Sequence, residues 1–298
     1  MNSRLKYTFV LSSLLIITSC GGGGGGGSTA VAKLAAAISS FTSNIFSTEV
    51  GSSVDISWSS TNATSCSASG SWTGSKSTTG SETVEISTAG ESTFTLTCNG
   101  EGGNASRTIT IEGYRNIQGV AVDGYISGAS IFIDTDSDYA LDSNETSTTS
   151  STDGSFTIKY ENGVLASLGG QDVDTQTQLN NLLLLRDLSG YSESSFMVTP
   201  VTSVAHFMPS QDIYTVLGLD SDLDIYTTDP VANIGDGGGY DLLYEKGNQL
   251  TILAYSLQNI SNSLNSSMDS TADYFKAISE EIVIAYTDNE ATVNIEKD

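Results

Sequence analysis

Between residues 38 and 113, apolar side chains recur at every second position. In Ser53-Val54-Asp55-Ile56-Ser57-Trp58 the residues Val54, Ile56 and Trp58 share one side, with polar neighbours between them. Val84 with Ile86, then Phe94, Leu96 and Cys98, then Ile109 with Ile111 repeat the pattern, and Gly/Ser/Asn-rich breaks separate the runs. A period of two marks strands with one buried face. Several short strands of this kind predict a small antiparallel β-sandwich over 38–113.

A second β tract covers 117–160. Gly119-Val120-Ala121-Val122-Asp123-Gly124-Tyr125-Ile126 and Ala129-Ser130-Ile131-Phe132-Ile133 read as two strands around a Ser127-Gly128 turn. In 161–298 the period lengthens. Thr199-Pro200 followed by Val201, Val204, Ala205 and Met208 starts a helix with an N-cap and an early proline. Ile213, Val216 and Leu217 suggest a second short helix. Leu242, Leu243, Leu250, Leu253, Leu257, Ile260 and Leu264 predict an amphipathic helix over 239–264, loosened near Gly247. Phe275, Ile278, Ile282 and Ala285 place another over 272–286. The expected fold class is therefore a mainly β N-terminal half of two small sandwich modules, followed by an α-helical C-terminal domain.

Residues 1–37 fit neither pattern. Arg4 and Lys6 precede an apolar run over residues 7–17, which is too short to span a bilayer and suits the core of a signal peptide. The next residues, Ile17-Thr18-Ser19-Cys20, resemble the bacterial lipobox. That resemblance implies cleavage after residue 19, a diacylglyceryl group on the Cys20 sulfur and acylation of the new amine. More than one acyl chain anchors stably, where a single chain does not. Residues 21–27 are all glycine, so 20–37 reads as a lipidated flexible tether. Gly21 in place of Asp after the cysteine implies, by the same resemblance, delivery to the outer membrane and a possible surface location.

Charge narrows the partners. The 298 residues carry 11 basic and 35 acidic side chains, a formal net charge of −24. Loss of residues 1–19 removes Arg4 and Lys6 and no acid. Nucleic acid is excluded as a partner, because phosphate contact needs clustered Lys and Arg. Adsorption to anionic headgroups is disfavoured for the same reason, leaving the lipid anchor as the membrane contact. Once Cys20 is assigned to lipid, Cys66 and Cys98 remain, and an even pair in an exported protein reads as one disulfide.

The stretch from Trp58 to Cys66, with Gly70-Ser71-Trp72 and Phe94-Thr95-Leu96-Thr97-Cys98, resembles a bacterial Ig-like module of secreted proteins. The resemblance implies a Cys66–Cys98 bridge joining a middle strand to a late one. The order of Cys and Trp differs from antibody domains, so their core arrangement does not carry over. Such modules serve either as spacers or as ligand binders, and both readings stay open.

The richest chemistry lies at Asp134-Thr135-Asp136-Ser137-Asp138-Tyr139-Ala140-Leu141-Asp142-Ser143-Asn144-Glu145. Acids occupy positions 1, 3, 5, 9 and 12 of a twelve-residue loop, and position 7, Ala140, offers a backbone carbonyl. This is the spacing of a calcium loop, which gathers six to eight hard oxygens on a tight curl. The expected ligands are Asp134, Asp136, Asp138, Ala140, Asp142 and Glu145, with calcium in a structural role. Tyr139 departs from the usual glycine at position 6. From Asp123-Gly124 to Asp153-Gly154-Ser155-Phe156, the tract resembles B-type repeats of Gram-positive adhesins and carboxypeptidase-regulatory-like domains. That likeness implies a small β-sandwich stiffened by calcium.

Segments at 169–175, 198–204, 217–219 and 228–232 resemble a helical region that follows such modules in large bacterial surface proteins. The resemblance brings no chemistry with it. His206 is the sole histidine, so a hydrolytic triad would have to use it, but it sits in an apolar helical run that suggests packing. The glycine-rich 235–239 has neither the preceding strand nor the lysine of a phosphate loop. The expected function is a non-enzymatic cell-surface scaffold or adhesin-like lipoprotein meeting an extracellular protein or glycan. One alternative is an accessory envelope lipoprotein acting through its helices, and another is a secreted hydrolase.

Overall fold

A computed structural model describes residues 32–188, 195–208, 212–263 and 271–289. The signal segment, Cys20, the glycine run and Leu264 lie outside the described residues.

The first unit contains β1 (Ala37–Ser43), β2 (Ser47–Glu49), β3 (Ser53–Thr61), β4 (Ser65–Gly70), β5 (Gly74–Lys76), β6 (Thr79–Glu85), β7 (Gly90–Gly100) and β8 (Gly103–Tyr114). They form two sheets, ordered β1-β3-β6 and β2-β8-β7-β4-β5. All pairs are antiparallel except β2 with β8. The alternating positions do face inward. Val54, Ile56 and Trp58 of one sheet and Phe94, Leu96, Cys98 and Ile111 of the other join a single buried core. Trp72 packs edge-on to Trp58 and Phe94 and stacks on Phe41. Its indole N–H donates to the Thr95 carbonyl at 3.1 Å, which satisfies the one polar atom of the ring.

The Cys66–Cys98 disulfide is present. It joins β4 to β7, which are direct neighbours in one sheet, with Cys66 opposite Cys98 and their Cα atoms 4.0 Å apart. Only Arg115 separates β8 from β9 (Asn116–Ala121). Across that joint, Lys159 Nζ donates to Glu112 Oε1 at 2.9 Å and lies over the Tyr114 ring.

The strands do not stop at residue 160. After β9 come β10 (Ile126–Ser127), β11 (Ser130–Asp134), β12 (Ser147–Thr149), β13 (Ser155–Lys159), β14 (Val164–Leu168), β15 (Gln171–Asp172), β16 (Leu183–Asp187) and β17 (Ser195–Val198). One sheet runs β12-β11-β14-β16, a second runs β13-β9-β17 with β17 parallel to β9, and β10 pairs with β15. The expectation of a mainly helical segment from 161 is corrected by these strands, since among the described residues helices begin at Pro200. The physical reason lies in β14 and β16. Val164, Leu165 and Ala166, and Leu183, Leu184 and Leu185, are buried on both faces, so these runs show no period of two.

Among the described residues four helices follow: α1 (Pro200–His206), α2 (Ile213–Leu217), α3 (Tyr240–Ser263) and α4 (Thr271–Asn289). Thr199 caps α1 as the sequence implied, and with Thr202 it forms a reciprocal capping box. Helix α3 continues unbroken through Gly247 rather than loosening there. Ile260, expected on its buried face, is 56% exposed. One core runs from Ile117, Ile131, Leu165 and Leu184 in the strands to Val204, Leu250, Phe275 and Ile278 in the helices. The helices thus close the open face of the second β unit. Among the described residues, no helix is long and apolar enough to cross a membrane.

Candidate metal centre

The acidic loop is the connection between neighbouring strands. β11 ends at Asp134, β12 begins at Ser147, and the two pair antiparallel up to Phe132 opposite Ser147. Asp134 is fully buried and also pairs with Val164 of β14. The strand passes so close at Gly163 that a Cβ there would lie 2.2 Å from the Asp134 carbonyl oxygen. A glycine at 163 is what lets the loop's first acid sit against the sheet.

From that root the backbone curls around the Asp134 carboxylate. Its Oδ1 accepts from the amides of Asp136 (3.2 Å) and Ser137 (2.7 Å), and its Oδ2 from the amide of Tyr139 (3.0 Å). Left-handed backbone at Ser137 (φ 67°) and Tyr139 (φ 60°) makes the curl. Tyr139 therefore adopts at position 6 the conformation that glycine adopts most easily. The pattern repeats outward, with Asp136 Oδ1 accepting from the Asp138 amide and Asp138 Oδ1 from the Ala140 amide.

Asp134, Asp136 and Asp138 each present a carboxylate oxygen within 4.8 Å of the other two. Two oxygens bound to one calcium ion, each about 2.4 Å away, can be no further apart than about 4.8 Å. The trio meets that distance limit for one hard cation. Desolvation, and next the charge of Asp138, push the Asp136 carboxyl above its ordinary range, with Asp134 and Asp142 adding to the effect. A cation would remove that repulsion.

The other expected ligands sit differently. Glu145 is buried and works as a clasp: its Oε1 accepts from the Thr135 amide at 2.7 Å and its Oε2 from the Asp142 amide at 3.1 Å. Asp142 and Ala140 are exposed. Neither Asp142 nor Glu145 joins the three-carboxylate group.

His206 lies beside this loop. Its Nε2 is 3.3 Å from the Tyr139 hydroxyl, and its ring meets Tyr139 edge-on. Burial lowers the His206 pKa, against the opposing pull of Asp187 and Asp134. Neither a serine nor a carboxylate is hydrogen-bonded to the ring among the described residues. Sequence reasoning gave no role to a second acid, Asp123, which follows β9. Its Oδ1 accepts from the Thr251 hydroxyl of α3 at 2.9 Å. Desolvation pushes its carboxyl up to about 7, Thr251 pulls it down, and the charge of Asp172 adds to the rise. An acid that closes a strand-to-helix contact leaves no periodic or spacing signal. The sequence likewise gave no sign of Arg186, fully buried between the rings of Phe196 and Tyr226 and donating to the Tyr226 carbonyl.

No family model matches the chain, and no curated protein does. Among solved structures it is similar to a titin fragment, at 11% identity over 45% of this chain and 91% of that one, with a TM-score of 0.23. It is also similar to three N-terminal domains of the highly immunogenic outer capsid protein of bacteriophage RB49, at 13% identity over 50% and 66%, TM-score 0.22. A third is a quinoprotein alcohol dehydrogenase-like protein from Bacteroides thetaiotaomicron, at 12% over 52% and 47%, TM-score 0.23. Scores this low carry no argument about this chain.

Proposed function

We propose that the chain is a non-enzymatic, lipid-anchored cell-surface lipoprotein, a calcium-stiffened scaffold or adhesin-like binding protein. On this reading Cys20 carries the lipid and 20–37 is the tether. The first unit is an Ig-like sandwich, and loop 134–145 of the second holds calcium. The helical part is then presented to an extracellular protein or glycan.

The observation that carries the reading is the convergence of three carboxylates within 4.8 Å on a loop rooted in a buried strand end. Asp134, Asp136 and Asp138 would supply the first oxygens. Further oxygens for a six- to eight-fold sphere would come from the Ala140 carbonyl, Asp142 and water. The one-residue joint at Arg115, with its Glu112–Lys159 bridge, supports the scaffold role because it leaves little free chain between the units.

The test is thermal melting of the full chain in chelator and in excess calcium. At a hundred times Kd, binding adds about 2.7 kcal/mol to stability, so the melting temperature rises in calcium. Asp136→Ala and Asp138→Ala alter exposed side chains and should abolish the rise while leaving the chelator value near wild type. Identical melting of the wild type in both conditions refutes the calcium reading.

A second reading, an accessory envelope lipoprotein that grips a partner through its helices, is favoured by one feature. Ile252 and Ile260 of α3 and Ile284 of α4 are 45%, 56% and 51% exposed. Capture of a partner from outer-membrane extracts that fails with Ile252→Asp and Ile260→Asp, and is indifferent to calcium, would select it.

A further inference from the structure

The residue at loop position 6 is anomalous twice over. Tyr139 holds a left-handed backbone, φ 60°, that side chains rarely adopt. It is also the loop residue that reaches out of the hairpin into the helical part. Its ring meets Phe207, the C-cap of α1, edge-on at 5.8 Å, and His206, the last residue of α1, at 5.9 Å. Its hydroxyl lies 3.3 Å from His206 Nε2. The ring is partly buried against a small core of Phe132, Val164, Ala166, Leu183, Leu185 and Ala272, which brings together β11, β14, β16 and the start of α4. The backbone amide of the same residue donates to Asp134 Oδ2 at 3.0 Å.

Tyr139 thus has its main chain in the acidic curl and its side chain in the seat of α1. Moving one must move the other, because an aromatic ring packed edge-on to two rings has few alternative positions. We infer that Tyr139 couples the acidic loop to helix α1, so that fixing the loop also fixes the end of that helix against the β unit. A divalent cation at Asp134, Asp136 and Asp138 is the natural input. The inference rests on the calcium reading for that input and on contacts outside the carboxylate group for the coupling itself. It gives the loop an output: the docking of the helical part that the proposed scaffold presents.

Hydrogen exchange followed by mass spectrometry on the full chain reads both ends at once. Peptides over 134–145 report the loop, and peptides over 200–208 report α1. Added calcium chloride should slow exchange in both, in α1 by about two- to tenfold, the worth of one or two aromatic contacts. In Tyr139→Gly, which keeps the left-handed backbone at ease and removes the ring, calcium should still protect the loop while α1 ceases to respond. Tyr139→Phe, which loses only the hydroxyl contact, should retain most of the α1 response. Calcium protection of α1 that is undiminished in Tyr139→Gly overturns the inference, and so does wild-type protection confined to the loop. If calcium protects neither segment, the calcium reading falls and the coupling is judged without it. Asp134→Asn, which removes an acceptor from the curl, must then speed α1 exchange in the wild type and not in Tyr139→Gly. An equal effect in both overturns the coupling.

Discussion

Asp123 makes the stability of this protein depend on pH in an unusual sense. Its carboxyl, raised to about 7 against 3.8 for an ordinary aspartate, is protonated in the fold at a pH where the unfolded chain has already ionised. Between about pH 4 and pH 7 the folded state therefore holds a proton that the unfolded state has released. Stability from this group falls as pH rises through that window and is flat above it. The full difference between the two values corresponds to about 4 kcal/mol. Asp123 keeps part of its surface in water, so about 2 kcal/mol is the expected effect after solvent screening. Asp123→Asn cannot ionise, and its amide oxygen can still accept from Thr251. Glu112, Asp153 and Asp212, whose carboxyls are lowered, work in the opposite sense and lose their contribution as pH falls. Comparing the two proteins at each pH cancels them. Urea unfolding followed by helical circular dichroism should show Asp123→Asn gaining about 2 kcal/mol over wild type at pH 8 relative to pH 4.5. The gain should appear mostly between pH 5 and 7. A wild-type-minus-variant difference that is constant from pH 4.5 to 8 would falsify the account of Asp123 as a desolvated acid at the strand-to-helix contact.

Two further outcomes test the two larger cores separately. Replacing both Cys66 and Cys98 with serine opens a bridge of sequence separation 32 and should cost the first unit about 3–4 kcal/mol. That loss is read from Trp58 and Trp72 fluorescence in urea, and an unchanged midpoint would count against it. Thr199→Ala removes the oxygen that accepts from the Thr202 amide at 3.1 Å. It should lower the helical transition by about 1–2 kcal/mol while leaving the tryptophan transition in place, and equal shifts in both would contradict two separate cores.

The legible parts of the fold were those where one face meets water. In β3 and β7 the alternation is written in the residues, and Val54, Ile56, Phe94 and Leu96 are all buried as it implies. Helix α1 was legible for a different reason, because Thr199 and Pro200 are local signals that need no partner. The runs at β14 and β16 are apolar on both faces and read equally as helix or strand, so the start of the helical part does not show in them. No local signal gives β9 its parallel neighbour β17, since pairing across so much chain depends on how the whole core closes. The disulfide pair was legible from counting, whereas its place within one sheet was not.

At the acidic loop the spacing of carboxylates was legible and their division of labour was not. Alternation alone makes Asp134, Asp136, Asp138, Asp142 and Glu145 look equivalent. Burial separates them: Glu145 spends both oxygens on backbone amides, and only the first three converge. In the sequence the departure at position 6 stands only as an exception to the motif. A non-glycine residue in left-handed backbone costs about 1–3 kcal/mol, and exposed Ser137 bears that cost for the curl alone. The ring of Tyr139 is set against His206 and Phe207, and that contact offsets the backbone cost. Local preference thus gives way where the loop meets the helices, and a broken local rule held by a tertiary contact is the expected mark of a site that does more than hold its own shape.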